Sequence, residues 1–571
     1  MDSLELGLNV RMGGPQRARA GQPLQRVATA LERSINRSTD HKTTLDIRSR
    51  RCGGEVRLSR GARRRDCRPK LADVSETAAD SQERGPIVSQ DDELAHRVVS
   101  GGVQRAVGFA AANLLTAGGA VLLLRHLGVA EFGRYGVVLA LLAIVQGVSD
   151  AGLTMSGTRE LSLRADGPDR RDLLAHLLGL RIALTTVGVI CAVAFAASVG
   201  YDRDLIVGTA VAGAGVLLVS MQGAMLLPLT VELRNGTLAL NEVLRQGLLA
   251  AAFLVLVVLD AALVPFFAAQ VVAGAVLLAL TPLLLALRHR VFPRWGRERL
   301  RELAVLGVPV AIASVLGVVY LRLLVVLMSL MSESDNEVGY YVTSTRIVEL
   351  LIGLPYILIT VSLPVLSLAA RDDPDRLRYV TARATEVLAV AGVLFALGLA
   401  VAADPIIRVL GGAVYAPAAD VLRIQSLTLV CVFVAAAWSP TLLAMGHARS
   451  MVIAMMAGIA GVLAGGLVLI PPFGAQGAAI AAVAGDGVMC VVTYFLLRRA
   501  GPGRAISIRT LAKVLLAATI GAAVGVLGPG PDIVRAVMAC AACLAAVIGL
   551  RVLPAEILDL VRWRRSPQLH P

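Results

Sequence analysis

"RADGPDRRD" runs from Arg164 to Asp172, and "ARDDPDRLR" runs from Ala370 to Arg378. Each carries Asp-x-Pro-Asp-Arg between long apolar stretches, and the two copies stand 206 residues apart. Proline suits the first position of a helix, acidic residues beside it favour the positive helix end, and the residue before proline resists helical geometry. The pentapeptide therefore predicts a charged loop that restarts the chain as a helix, at equivalent points of a repeated architecture. At the same offset Glu131-Phe-Gly133-Arg-Tyr135 falls on Glu337-Val-Gly339-Tyr-Tyr341, and Gly147 falls on Gly353. Glu-x-Gly-x-Tyr reads as a turn at the opposite membrane surface, with its tyrosine in the interfacial belt.

The stretches between these motifs decide the solvent. Of 571 residues 56% are apolar and 17% charged, with a mean hydropathy of +0.71, too oily for an ordinary soluble domain. Apolar runs long enough to cross the roughly 30 Å hydrocarbon layer as helices lie near 104–125, 135–157, 177–199, 204–226, 243–260 and 262–287. A second set lies near 303–329, 340–369, 384–403, 419–444, 450–471 and 475–497, and two more near 511–528 and 533–553. The alternating segments of a membrane barrel are missing. The expected fold is an all-α polytopic membrane protein of fourteen helices. It comprises two six-helix lobes, 98–290 and 291–500, related by a pseudo-two-fold axis along the membrane normal, with two further helices and a short tail over 501–571.

Basic residues orient the spans, because cytoplasmic connections hold most of them. Twenty-three Lys and Arg follow the even-numbered spans, Arg181 and Arg245 among them, against six after the odd-numbered ones. Both termini are therefore expected in the cytoplasm, with the chain crossing the cytoplasmic membrane many times. Residues 1–97 contain no aromatic ring of Phe, Trp or Tyr and are dense in arginine. They read as a disordered basic cytoplasmic tail, or as a polybasic tether to anionic lipid. Nucleic-acid binding is not expected, for want of stacking aromatics or a folded module.

Soluble-enzyme signatures are weak. Cys540-Ala-Ala-Cys543 lies in an apolar span with no second pair to complete a zinc site, and the histidines are scattered, so no metal is expected. Gly213-Ala-Gly215 has no βαβ context. Ionisable groups deep in spans are costly and are the functional candidates. They are Arg322, Arg346, Glu349 three residues after Arg346 on the same face, Asp150, and Asp486 between Gly485 and Gly487, which are expected to loosen the helix around it. Each arginine either snorkels or pairs with Glu349, or binds a ligand. The two aspartates either form interior hydrogen-bonded pairs or couple an ion.

"LLRHLGVAEFGRYGVV" from Leu123, "SDAGLTMSGTRELS" from Ser149, "NEVGYYVTSTRIVELLIGLPYILITVSLPVLS" from Asn336 and "GGAVYAPAADVLRI" from Gly411 resemble the polysaccharide-export flippases of the MOP superfamily, over roughly residues 100 to 500. The resemblance implies two lobes around a cavity that opens alternately to each face, and a transporter rather than an enzyme. The substrate it implies is an undecaprenyl-pyrophosphate-linked oligosaccharide, moved from the inner to the outer leaflet. It points to Arg322 and Arg346 as head-group ligands, with Arg105 near the inner mouth of span 1 as a third. Asp486, Asp150 and Glu349 are the candidates for coupling to a proton or sodium gradient, with no other cofactor. Implied partners are the lipid-linked sugar, membrane lipids and polysaccharide assembly enzymes. Two alternatives stand beside it: a cation-coupled multidrug exporter of the same superfamily, for which the acidic groups would bind the drug, and a membrane glycosyltransferase or polymerase.

Overall fold

Pro168 and Pro374 each open a long helix with Asp169 or Asp375 in its first turn, so both copies of the pentapeptide act as helix starts. The computed structural model describes residues 90–150, 152–164, 167–284, 292–372, 374–501 and 508–551. Sixteen α-helices and no strand occur among the described residues. The first half holds α1 (Gln90–Asp150), α2 (Leu153–Ser162), α3 (Pro168–Val199), α4 (Arg203–Met225), α5 (Leu227–Val231), α6 (Asn235–Val258) and α7 (Leu263–Leu284). The second holds α8 (Arg297–Met331), α9 (Asp335–Asp372), α10 (Pro374–Val401), α11 (Ala403–Gly411), α12 (Ala418–Gln425), α13 (Thr428–Ala444) and α14 (Ala448–Ala500). The appended α15 (Ile508–Leu527) and α16 (Asp532–Gly549) pack on each other and on α10. Cys543 of the CxxC pair is buried there among Val390, Val393 and Val514, a packing role.

Two helices are doubled back by a single glycine. Gly128 of α1 has φ +73° and Gly474 of α14 has φ +53°, a region that side chains with a Cβ rarely occupy. Both bends lie at the same end of the bundle, here named the bend end. The opposite end carries residues 292–296, the described part of the connection between the halves, and is named the linker end. Among the described residues eleven segments are long and apolar enough to cross a membrane. Two of them, of 56 and 53 residues, contain the bends and exceed one crossing at about 1.5 Å per residue.

The Glu-x-Gly-x-Tyr motif differs from its reading as a surface turn. Gly133 and Gly339, equivalent in the repeat, touch each other, and a Cβ on Gly133 would stand 2.7 Å from the Gly339 amide nitrogen. Gly339 likewise lies against the Val129 carbonyl. The motif is thus the crossing point of α1 and α9, where backbone meets backbone. Tyr135 and Tyr341 are buried, not in an interfacial belt. Tyr135 stacks on Phe267 at 5.4 Å between centroids, so each ring fills a core that the close crossing creates.

Arg181 and Arg245 lie well inside α3 and α6, not in connections, because both helices begin earlier than their apolar runs. The linker is fastened to the first half. Arg294 N–H donates to the Ala175 carbonyl at 3.0 Å, the Arg294 guanidinium pairs with Asp172, and Gly179 and Gly296 leave room for the Arg294 carbonyl and the His176 ring. The first 106 residues form a unit of their own, described only as the opening of α1. The expected tail lies, up to residue 89, outside the described residues, as does the C-terminal segment 552–571.

Candidate functional site

Arg322 comes from α8, and Arg346 and Glu349 from one face of α9. Arg322 Nη1 donates to Glu349 Oε1 at 2.6 Å, and Arg346 Nη1 donates to Glu349 Oε2 at 3.3 Å. One carboxylate thus bridges two guanidiniums, and the trio keeps one positive charge. Arg322 stands nine residues before the end of α8, which is about 14 Å at 1.5 Å per residue. Its side chain is only 20% exposed, and its Nε is buried with no hydrogen-bond partner. Arg346, 34% exposed, stands close enough to Tyr135 of the first half to act on it electrostatically. A half-buried guanidinium pair with donors unspent is chemically matched to phosphate oxygens.

Asp486 is buried in the second arm of α14 and accepts a hydrogen bond from the Tyr320 hydroxyl. Tyr320 and Arg322 are two residues apart on α8, so they project to different sides, one toward α14 and one toward α9. The helix does not loosen at Asp486. It is regular from Gly485 to Gly487, and Gly485 serves to let the two arms of α14 approach, since a Cβ there would collide with Val462.

Asp150 is not free either. Its Oδ1 accepts from the buried Arg181 and, at 2.5 Å, from the Thr154 hydroxyl. Arg105 is exposed and lies in the N-terminal unit. Elsewhere in the first half Glu242 accepts from Arg245 and Gln246, and Gln222 donates to Asn241 at 2.8 Å, giving a polar interior that the apolar runs did not announce. Among the described residues no three His, Cys, Asp or Glu side chains are grouped to hold a metal ion.

The two ends of the bundle are built differently. At the bend end Arg134 donates to Asp335 of the second half at 2.8 Å, to Asp202 at 3.0 Å and to Glu131 at 3.1 Å. Tyr201 bonds Ser329 at 2.6 Å, and burial pushes the Tyr201 hydroxyl above its ordinary pKa, so it remains neutral. Arg125 reaches the Val409 carbonyl at 2.6 Å, and the Tyr415 hydroxyl donates to the Leu124 carbonyl at 3.1 Å. Within the second half, Glu337 accepts the Ala475 amide at 2.7 Å, beside the Gly474 bend. At the linker end an open cavity of about 540 Å³ separates α2 from α8.

Sequence reading singled out Arg322, Arg346, Arg105, Glu349, Asp486 and Asp150, and did not single out Arg181, Arg134 or Tyr320. Arg181 had a signal, since it stands thirteen residues after the Pro168 helix start inside an apolar run. Tyr320 had none, because its partner Asp486 comes from a distant segment, and for Arg134 the i, i+3 spacing showed only Glu131, not Asp202 or Asp335.

The family model for "Polysaccharide biosynthesis protein" matches residues 122–420. No curated protein matches the chain in sequence. Among solved structures, the lipid II flippase MurJ in an inward closed conformation is similar at a TM-score of 0.67 with 13% identity, over 79% of this chain and 99% of that one. An inward-facing multidrug resistance MATE transporter of the MOP superfamily gives 0.58 with 14% identity, over 68% and 94%. An outward-facing one gives 0.51 with 15% identity, over 71% and 94%. At these identities the likeness is one of fold.

Proposed function

The chain belongs to the polysaccharide biosynthesis protein family, with the MOP-superfamily fold, and on that premise we propose that it is a flippase for a lipid-linked oligosaccharide. The lipid of such a substrate can stay in hydrocarbon, whereas its head cannot: each polar group moved from water without a partner costs roughly 2–7 kcal/mol. The single observation that carries the reading is the half-buried Arg322–Glu349–Arg346 cluster, with one positive charge in excess. A pyrophosphate arriving there takes the place of Glu349 on the guanidinium forks, and Glu349 takes them back when the head leaves. Repulsion between the two arginines is thereby held down in the empty protein.

The substrate is proposed to be undecaprenyl-pyrophosphate-linked and to move from the inner to the outer leaflet of the cytoplasmic membrane by alternating access. The arginine-rich linker end, with both termini, faces the cytoplasm. Asp486 with Tyr320 is the proposed site of proton or sodium coupling. Asp150 and Glu349 already carry guanidinium partners and act as anchors. Arg105 is a third, cytoplasmic-side contact for the head group, and the enzymes that build and extend the sugar are the expected partners.

Flipping of a fluorescent lipid-linked oligosaccharide in proteoliposomes tests the reading. Replacing Arg322 and Arg346 together by Ala is expected to lower the rate about a hundredfold or more, since each charge-assisted bond contributes about 1.5–3 kcal/mol. An unchanged rate in correctly inserted protein would overturn it. The buried acid of Asp486 favours one second reading, export of a cationic drug. In that case Asp486→Asn abolishes dye efflux while the arginine pair is dispensable.

A further inference from the structure

The linker-end cavity is lined from the first half by Asp150, Thr154, Met155, Thr158 and Arg159, and from the second by Ser314 of α8. Its polar groups are left in a particular state. Arg159 is exposed, and its guanidinium has neither a hydrogen bond nor an ion pair among the described residues. Both partners of Asp150, Arg181 and Thr154, bond the same oxygen, Oδ1, so Oδ2 is unspent on a side chain 38% exposed. Thr158 commits its proton to the Thr154 carbonyl at 2.6 Å, which leaves its oxygen lone pairs as acceptors. Arg181 stands behind, nine-tenths buried, with its Nε unpartnered, and fixes Asp150 where it is.

The wall therefore offers one unpaired cation, two acceptors for hydroxyl protons and, from across the cleft, a serine hydroxyl. A small inorganic anion has no use for acceptors and is repelled by Asp150. A neutral sugar has no use for Arg159. A hydroxylated ring carrying a phosphate uses all of them. Ser314 also lies eight residues before Arg322 on α8, a separation of about 12 Å, so the two groups mark successive points along one helix.

We propose that this cavity is a loading subsite for the phosphorylated sugar head, with Arg159 on the phosphate and Asp150, Thr158 and Ser314 on the hydroxyls of the ring next to it. The proposal rests on the flippase reading and adds a first station to it, ahead of the Arg322–Arg346 cluster. Because Ser314 belongs to the second half, a head bound here contacts both halves before it moves inward.

Binding to the full chain in nanodiscs tests the subsite, with farnesyl-pyrophosphate-linked N-acetylglucosamine and bare farnesyl pyrophosphate as probes. The wild type is expected to prefer the sugar-bearing probe. Arg159→Ala is expected to weaken both probes about tenfold, the worth of one charge-assisted bond, with partial recovery in Arg159→Lys. Ser314→Ala and Thr158→Val are expected to erase the preference for the sugar while leaving the affinity for farnesyl pyrophosphate as it was. In Ser314→Cys, the sugar-bearing probe is expected to slow maleimide labelling at position 314, read by mass spectrometry. Wild-type binding that is indifferent to these substitutions, with labelling unprotected, overturns the subsite and leaves the flippase reading standing. A wild type that binds neither probe overturns both.

Discussion

The bend end and the linker end of this molecule share the same helices yet use opposite chemistry. At the bend end the halves meet by backbone, Gly133 on Gly339, and charges of the two halves satisfy one another around Arg134. At the linker end polar groups point into a cavity with part of their bonding capacity unused. One end joins the halves through satisfied groups, and the other holds an open cavity between them. A transporter that alternates must be able to exchange these conditions, so the contacts that close the bend end have to be firm enough to seal and weak enough to break. The ion pairs around Arg134, each contributing about 0.2–1 kcal/mol near water, add a breakable part to a seam that also holds apolar contacts such as Gly136 against Val342.

The largest departure is expected from Gly339→Leu. The new side chain has no space beside Val129, and overpacking of this kind costs about 1–3 kcal/mol. Flipping in proteoliposomes is expected to fall at least tenfold, roughly the effect of 1.4 kcal/mol, and a full rate would mean that the glycine crossing is not part of closure. Arg134→Ala comes next. It removes the attraction to Asp335 and leaves three carboxylates facing one another, so the bend-open population is expected to rise about tenfold. Asp335→Asn removes the attraction without creating the repulsion and is expected to raise that population only about threefold. Labelling of a cysteine placed at Ser329 by a membrane-impermeant maleimide reads both, and equal effects of the two variants would break the account of Arg134 as a hub. Tyr201→Phe, which deletes one hydrogen bond to Ser329 that contributes about 1 kcal/mol, is expected to have the smallest effect, a few-fold in the same assay.

Much of the fold was legible because lipid imposes its own grammar. Apolar length marks crossings, Pro168 and Pro374 mark helix starts, and the i, i+3 spacing of Arg346 and Glu349 gives their pairing without any structure. What was not legible depends on segments far apart in sequence. Nothing in α8 announces that Arg322 reaches Glu349, or that Tyr320 reaches Asp486 166 residues away. Arg181 was misassigned because an apolar run marks where a helix is oily and not where it begins. The tyrosines of Glu-x-Gly-x-Tyr were misassigned for a related reason. A belt tyrosine and a core tyrosine have the same composition around them, and only the contact between Gly133 and Gly339 tells them apart.

Residues 292–296, the described part of the connection between the halves, are fastened to α3 through Arg294. A door hung on one jamb swings; it does not lift away from its frame. Motion of one half against the other is expected to pivot near the start of α8, where Arg294 holds the connection to α3, more readily than to part the halves evenly.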